Sequence, residues 1–184
     1  VLDPEPRDVI REVCRQQQAA LWELGADFHG EYQTLAPAGD NAGPHPPLQA
    51  AVQFSGPVLQ TEWTGQPLPL GLLGPHQAQN AALAVAALAR LAPHGLTVPL
   101  TALQTGLAQV RWPARFEIVR HRPMVVVDAA HNVASAAALL ETLRAWRTRE
   151  ARRQSVPPYV VFSNKVLETI AAIQPASLKA LSAI

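Results

Sequence analysis

The stretch Val125-Val126-Val127-Asp128-Ala129-Ala130-His131-Asn132 decides the fold class. Its short apolar run of β-branched residues predicts a buried strand. The alanine- and leucine-rich run from Ala134 to Trp146 predicts a helix after a small-residue turn. An acid at the carboxyl end of a parallel strand, just before a helix, stands where open α/β sheets bind ligands. The stretch therefore implies an α/β fold with a nucleotide or phosphate site.

Downstream, Arg147 to Pro158 is charged and contains proline, and is expected to be a solvated connection. Tyr159–Phe162 then predicts a strand and Val166–Ile173 a helix. With Met124–Val127 and the helix Ala134–Arg147 these make a βαβ arrangement. A strand at Phe116–Val119 precedes them. Arg111-Trp112-Pro113 breaks the pattern and marks the expected boundary between domains 1–110 and 111–184.

Upstream, Asp3 and Pro4 resemble an N-cap followed by a first-turn proline. Val9, Ile10, Val13, Cys14, Ala20, Leu21 and Leu24 follow helical spacing, with Gly25 as the expected stop. Ala26–Leu35 is expected to hold an extended segment, and Ala36–Pro47 is rich in proline and glycine and reads as loop. Ala50–Phe54, Val58–Trp63 and Leu68–Leu72 are candidates for a small antiparallel meander. A mostly apolar helix, expected to be buried, runs from His76 to Ala92. Thr97 is the expected cap of another, Val98–Val110.

The 184 residues suffice for one domain or two small ones. A hydrophobic content of 48% supports a core, and 15 basic against 14 acidic residues give no electrostatic case for nucleic acid or membrane. Cys14 is the only cysteine, so no internal disulfide or CxxC metal pattern exists, and it is expected to be a buried structural thiol. That usage is consistent with a reducing cytosol. No apolar run approaches the roughly 20 residues of a membrane span. Val1-Leu2-Asp3-Pro4 reads as neither a signal peptide nor a natural start.

Three constellations could carry chemistry. In Gly74-Pro75-His76-Gln77-Ala78-Gln79-Asn80-Ala81, His76 and Asn80 are four apart and share a helix face. They could face a ligand, or simply cap and solvate the helix start. In Arg111-Trp112-Pro113-Ala114-Arg115-Phe116-Glu117, Arg115 could aim a fixed positive fork at phosphate, or be an exposed strand-edge charge. In the opening stretch, Asp128 could accept from ribose hydroxyls, with His131 and Asn132 at a helix N-terminus that favours anions. Equally, Asp128 could cap the helix and His131 be a surface residue.

Together the three resemble the folylpolyglutamate synthase / dihydrofolate synthase branch of the Mur-ligase superfamily, in its carboxyl-terminal portion. The branch pattern is Gly-x-His-Gln-x-x-Asn-Ala, then Trp-Pro-Gly-Arg-x-Glu, then a strand ending Asp-Gly-Ala-His-Asn-Pro. Order and spacing match over residues 1 to 173. The resemblance implies the tail of a central ATP-binding domain (helices plus a small antiparallel sheet), followed by a Rossmann-like C-terminal domain that ends early. It implies that Asn80 and His76 contact the nucleotide, Arg115 a phosphate, and Asp128 the ribose, with His131 beside the reacting phosphoryl group as the catalytic candidate. The implied reaction is ATP-dependent addition of L-glutamate to a folate or dihydropteroate through an acyl phosphate. The implied protein is a cytoplasmic monomer that takes small-molecule substrates, without nucleic acid or membrane.

Three positions depart from the pattern. Ala129 and Ala114 replace glycines, and Val133 replaces the proline. Phe162-Ser163-Asn164-Lys165 only loosely matches the family's next turn, so no role passes to Lys165. No Gly-x-x-x-x-Gly-Lys-[Ser/Thr] loop occurs in the chain. The family carries that phosphate cradle and its Mg²⁺ ligands upstream of what aligns with Val1, so the chain is expected to be a piece of a longer enzyme, inactive alone and with no metal site of its own. Two other readings stay open: another Mur-type amino-acid ligase (cell-wall or cyanophycin-like), against which His76-Gln77 argues, and a non-catalytic nucleotide-binding module. A dinucleotide oxidoreductase is disfavoured, since no Gly-x-Gly-x-x-Gly follows a strand.

Overall fold

The computed structural model describes residues 4–35, 49–121 and 124–173. The expected cap Asp3 and the expected loop 36–47 lie outside them. The described residues divide into two compact units: 4–35, 49–71 and 77–110 form one, and 72–76, 111–121 and 124–173 the other.

The first unit opens with α1 (Pro4–Gln16). This helix stops short of the predicted end at Leu24, because Gln18 takes a left-handed φ of 53°. Val9, Ile10 and Val13 on it are exposed, and Cys14 is half-buried rather than buried. Arg7 and Arg11 both bind the carboxylate of Glu23, at 2.6 and 2.9 Å, and tie α1 to the turn that follows.

Strands β1 (His29–Leu35), β2 (Gln49–Ser55) and β3 (Pro67–Leu70) form an antiparallel sheet in that order. In the edge strand β3, exposed Pro67 and Pro69 alternate with buried Leu68 and Leu70. An edge tolerates prolines because it needs no second row of amide donors. The predicted strand Val58–Trp63 is instead a turn and a 3₁₀ segment, Thr61–Trp63. Gly56-Pro57 turns the chain there, Leu59 N–H reaches the Gly56 carbonyl, and Trp63 drops into the core.

Helix α2 (Pro75–Leu91) is amphipathic, not buried all round. Gln77, Ala78, Ala81, Ala82, Val85, Ala86 and Ala89 face inward, while Leu83 and Leu91 are exposed. It approaches β1 so closely that a Cβ on Gly30 would lie 2.5 Å from the Ala78 carbonyl oxygen. Alanine on the helix and glycine on the strand allow that contact. Helix α3 (Leu100–Gln109) starts later than predicted, and Pro99, in extended conformation, takes the cap position expected of Thr97.

In the second unit, β4 (Glu117–His121) pairs antiparallel with β5 (Met124–Val127). The decisive strand is therefore short, half-exposed and antiparallel, not buried in a parallel sheet. Helix α4 (Val133–Arg153) runs through much of the predicted connection. Asn132 is its N-cap, in a capping box with Ser135, so the helix is not capped by Asp128.

The predicted strand Tyr159–Phe162 is also overturned: Pro158–Val161 is a short helix, α5, and α6 (Asn164–Ile173) follows. Pro157 is extended and Pro158 occupies the first helical position, where the absent amide costs nothing. Packing then outweighs the β-propensity of Tyr-Val-Val. The Phe162 ring stacks on Trp146 at 6.0 Å, and Arg147 donates to the Phe162 carbonyl at 3.1 Å. Among the described residues no βαβ unit forms and no helix is long and apolar enough to cross a membrane.

Candidate functional site

Four of the five candidate residues, His76, Arg115, Asp128 and His131, belong to the second unit. Arg115 sits in a sharp loop. Ala114 and Phe116 on either side of it have φ of 56° and 47°, a left-handed conformation that costs a non-glycine residue about 1–3 kcal/mol. Such a loop persists only if its surroundings hold it. The Glu117 carboxylate accepts from the Ala114 amide at 2.9 Å, and the Ala114 carbonyl accepts from the Ala129 amide at 2.8 Å. Phe116 is buried, and its amide donates to Asp128 Oδ2 at 2.8 Å.

Asp128 accepts with its other oxygen too: Oδ1 takes the Ala130 amide at 2.8 Å. Its carboxylate thus joins the Arg115 loop to the turn after β5. Arg115 itself is exposed and has no ion pair among the described residues.

His131 is exposed at the start of α4, with its amide on Ser135 Oγ at 3.0 Å. Its Nδ1 lies 3.0 Å from the Ala129 carbonyl. A carbonyl only accepts, so this contact assigns the proton to Nδ1 and leaves Nε2 of the neutral ring as an acceptor.

The His76 ring is half-buried and packs by Gly74, which has φ of 113°. A Cβ on Gly74 would fall 2.8 Å from both His76 Cε1 and Thr142 Oγ1 on α4. Burial holds the His76 imidazole below its usual pKa. Arg115 pushes the same way, and Asp128 and Glu141 oppose it. His76 is therefore close enough to feel the charges of Arg115, Asp128 and Glu141.

Asn80 is exposed on α2, one turn beyond His76, and falls in the first unit. Its Nδ2 donates to Gln77 Oε1 at 3.2 Å, and Gln77 is buried, so Gln77 fixes the direction of the Asn80 amide. Sequence reasoning gave no role to Gln77, Glu117 or Thr142. For Glu117 a signal existed: an acid three residues after Ala114 is within reach of that amide. Among the described residues no three His, Cys, Asp or Glu side chains gather as a metal site. A cleft of about 400 Å³ in the first unit, lined by residues such as Ile10, Trp22 and Leu83, contains none of the candidates.

Over 145 residues the chain is 39% identical to the dihydrofolate synthase/folylpolyglutamate synthase of Bacillus subtilis, covering 78% of this chain and 30% of that protein. The chain matches a partial region of the folylpolyglutamate/dihydrofolate synthases. The Mycobacterium tuberculosis folylpolyglutamate synthase, solved with ADP and AMPPCP, superposes with a TM-score of 0.55 at 28% identity, over 76% of this chain and 28% of that one. The Lactobacillus casei folylpolyglutamate synthetase shares the fold, with a TM-score of 0.60 at 20% identity over 77% and 33% of the two chains. The chain thus spans about a third or less of the synthases it matches. A separate family model, the HRDC domain, matches residues 136–184. Over its described residues, 136–173, it overlaps helices α4–α6, which stand in place of the predicted helix–strand–helix run.

Proposed function

We infer that the chain is part of an ATP-dependent ligase that adds L-glutamate to a folate or dihydropteroate, a small-molecule enzyme of the cytoplasm that acts as a monomer. The observation that carries this reading is Arg115. Its two neighbouring carboxylates are bound to main-chain amides, which leaves an exposed guanidinium, on a held main chain, without an ion pair among the described residues. Such a fork suits a phosphate oxygen. The superposition on a synthase solved with ADP and AMPPCP supports a nucleotide as the phosphate's source.

In this reading residues 1–110 belong to the central nucleotide domain and the C-terminal domain starts at 111. Asn80 and His76 contact the nucleotide, Arg115 a phosphate and Asp128 the ribose side. His131 offers Nε2 near the incoming amino group, in position to accept its proton as glutamate displaces phosphate from the acyl phosphate. Mg²⁺ would offset the charge of the transferring phosphoryl group, with its ligands outside these residues.

The test is glutamate-dependent release of ADP by the full-length protein, with folate, dihydropteroate, cell-wall peptide precursors and aspartate-containing peptides as acceptors. Turnover with a pteroate-type acceptor supports the reading. Turnover with another acceptor moves the chain to another Mur-type ligase. Nucleotide binding without turnover makes it a non-catalytic module.

For residues 136–184 a second reading has its own observation. The HRDC match over residues 136–184, together with the helical run α4–α6, favours a helical module beginning within α4. Hydrogen exchange would report it: α4–α6 opening as one block, apart from β4–β5, supports a separate module.

A further inference from the structure

Resting on the ligase reading, we propose that Ser135 is a positioning residue for His131, and that its hydroxyl fixes which imidazole nitrogen faces the incoming amino group. His131 lies outside α4, just before the N-cap Asn132, where no helical bond holds its amide. The turn Ala129–Asn132 nevertheless has an acceptor for each of its four amides. The Ala114 carbonyl takes that of Ala129 and Asp128 that of Ala130, both at 2.8 Å. Ser135 Oγ takes the last two, from His131 at 3.0 Å and from Asn132 at 3.1 Å.

The same Oγ donates to the Asn132 carbonyl at 3.0 Å. A hydroxyl has one proton and two lone pairs, so every bonding position of Ser135 is used on this turn and none is left for a ligand. The effect of the hold is seen at the ring. Nδ1 stands 3.0 Å from the Ala129 carbonyl, two residues back, and can donate to it only while the turn keeps that spacing. A neutral imidazole otherwise exchanges its proton between the two nitrogens, and a ring protonated at Nε2 is no base at that atom. With Nδ1–H held, the amino proton passes to Nε2 as the glutamate nitrogen bonds the acyl carbon and phosphate leaves. The imidazolium that results keeps its bond to the Ala129 carbonyl, now charge-assisted.

The experiment uses the full-length protein. Ser135→Ala, Ser135→Thr, His131→Ala and the double variant of Ser135→Ala with His131→Ala are compared by kcat and KM for ATP and for glutamate. Ser135→Cys, close in size but a weak acceptor, repeats the test if Ser135→Ala loses helix content. Ser135→Ala should lower kcat/KM for glutamate on the order of tenfold, part of what a general base supplies. Its KM for ATP should stay within about twofold of wild type, because the bonds of Ser135 reach only His131 and Asn132. Ser135→Thr keeps the hydroxyl and should restore most of the loss. The double variant should lose no more than His131→Ala alone, within about twofold.

Losses that multiply in the double variant overturn the proposal. So does a Ser135→Ala loss that appears in KM for ATP, since Ser135 would then act on the nucleotide side. Imidazole ¹⁵N NMR at about pH 8.5, where histidine rings are neutral, is the arm independent of turnover, with the His131 signals assigned by their absence in His131→Ala. Wild type and Ser135→Thr should show a protonated Nδ1 and a bare Nε2, and Ser135→Ala a mixture of the two tautomers. An unchanged Nδ1–H pattern in Ser135→Ala overturns the hold. If the wild type releases no ADP, the ligase reading fails, and the NMR arm still decides whether Ser135 sets the His131 ring.

Discussion

The two units are held together in different ways. In the first, Trp63, Phe28, Phe54, Leu68, Val52 and Val85 are all but fully buried and form an apolar core between sheet and helix. In the second, the buried apolar side chains among the described residues are Phe116, Ala136 and Ala151, and buried Thr142 is polar. Around the candidate residues, main-chain amides are gripped by Asp128, Glu117 and the Asn132–Ser135 capping box. Four of the five candidate residues sit in this unit. A scaffold held by directional bonds can keep a strained loop in one shape, which apolar packing specifies less tightly.

The largest effect that could break this contrast lies in the first unit. Trp63→Ala should cost about 3–5 kcal/mol in chemical denaturation, the usual loss for a buried large aromatic. Trp63→Phe should cost clearly less, because the buried indole Nε1 has no acceptor among the described residues, and phenylalanine removes that unmet donor. A loss under about 1 kcal/mol for Trp63→Ala would show that the first unit does not depend on apolar burial.

Next is Gly74→Ala in the second unit. The new Cβ would meet the His76 ring and the Thr142 hydroxyl, and φ of 113° disfavours any side chain. The expected cost is about 2–3 kcal/mol by thermal or chemical unfolding. The His76 ring should move, seen as a changed imidazole NMR signal. An unshifted signal would separate Gly74 from the site.

The two glycines that the family pattern has and this chain lacks are not equivalent. Ala114 adopts a left-handed φ, and Ala129 does not. Ala114→Gly should therefore stabilise the second unit by about 0.5–1 kcal/mol, the relieved strain less the added freedom of the unfolded chain. Ala129→Gly brings only the added freedom and should destabilise slightly. Equal effects at the two positions would contradict the geometry of the Arg115 loop.

Val133, which stands where the pattern has proline, is the first residue of α4 and is exposed. Asn132 before it has φ of −141° and ψ of 169°, extended as a residue before proline must be. Val133→Pro should thus raise stability by about 0.4–1 kcal/mol. A drop in helicity by circular dichroism would show that the α4 start differs from the capping box described.

These pairs also show what could be read from the sequence. The motifs around His76, Arg115 and Asp128 were legible because fixed spacing across a turn survives changes of context. The loop between them was not. Nothing in the Ala-Arg-Phe triplet announces two left-handed alanine and phenylalanine residues, since that conformation is imposed by Glu117 and Asp128 from outside. The strands at Val58–Trp63 and Tyr159–Phe162 failed for a related reason. β-branched and aromatic residues favour a half-buried pleated surface, but Gly56-Pro57 and Pro157-Pro158 set the local turn, and no described partner strand is paired there. The end of α1 was missed because periodic apolar residues continue past Gln16 while the backbone turns at Gln18.

The smallest effect concerns pH. His76 is neutral more readily when folded, chiefly because burial disfavours its charge. Its folded pKa lies below the unfolded value near 6.5, so between the two the unfolded chain binds more protons and stability rises with pH. The contribution is fully present above the unfolded pKa and is lost as pH falls through the folded one. Its slope stays below the one-proton limit of about 1.4 kcal/mol per pH unit, as Asp128 and Glu141 offset part of the burial. Unfolding of the second unit should therefore be slightly easier at pH 5 than at pH 7.5, and His76→Gln should flatten that difference. In the first unit the α1 tether uses Glu23, which Arg7 and then Arg11 hold below the usual carboxylate range. Glu23 stabilises above its unfolded pKa and weakens only as pH falls through the folded one, below the histidine window. A pH 5–7.5 difference that persists in His76→Gln would place the titrating group elsewhere and remove His76 from the charge set of Arg115 and Asp128.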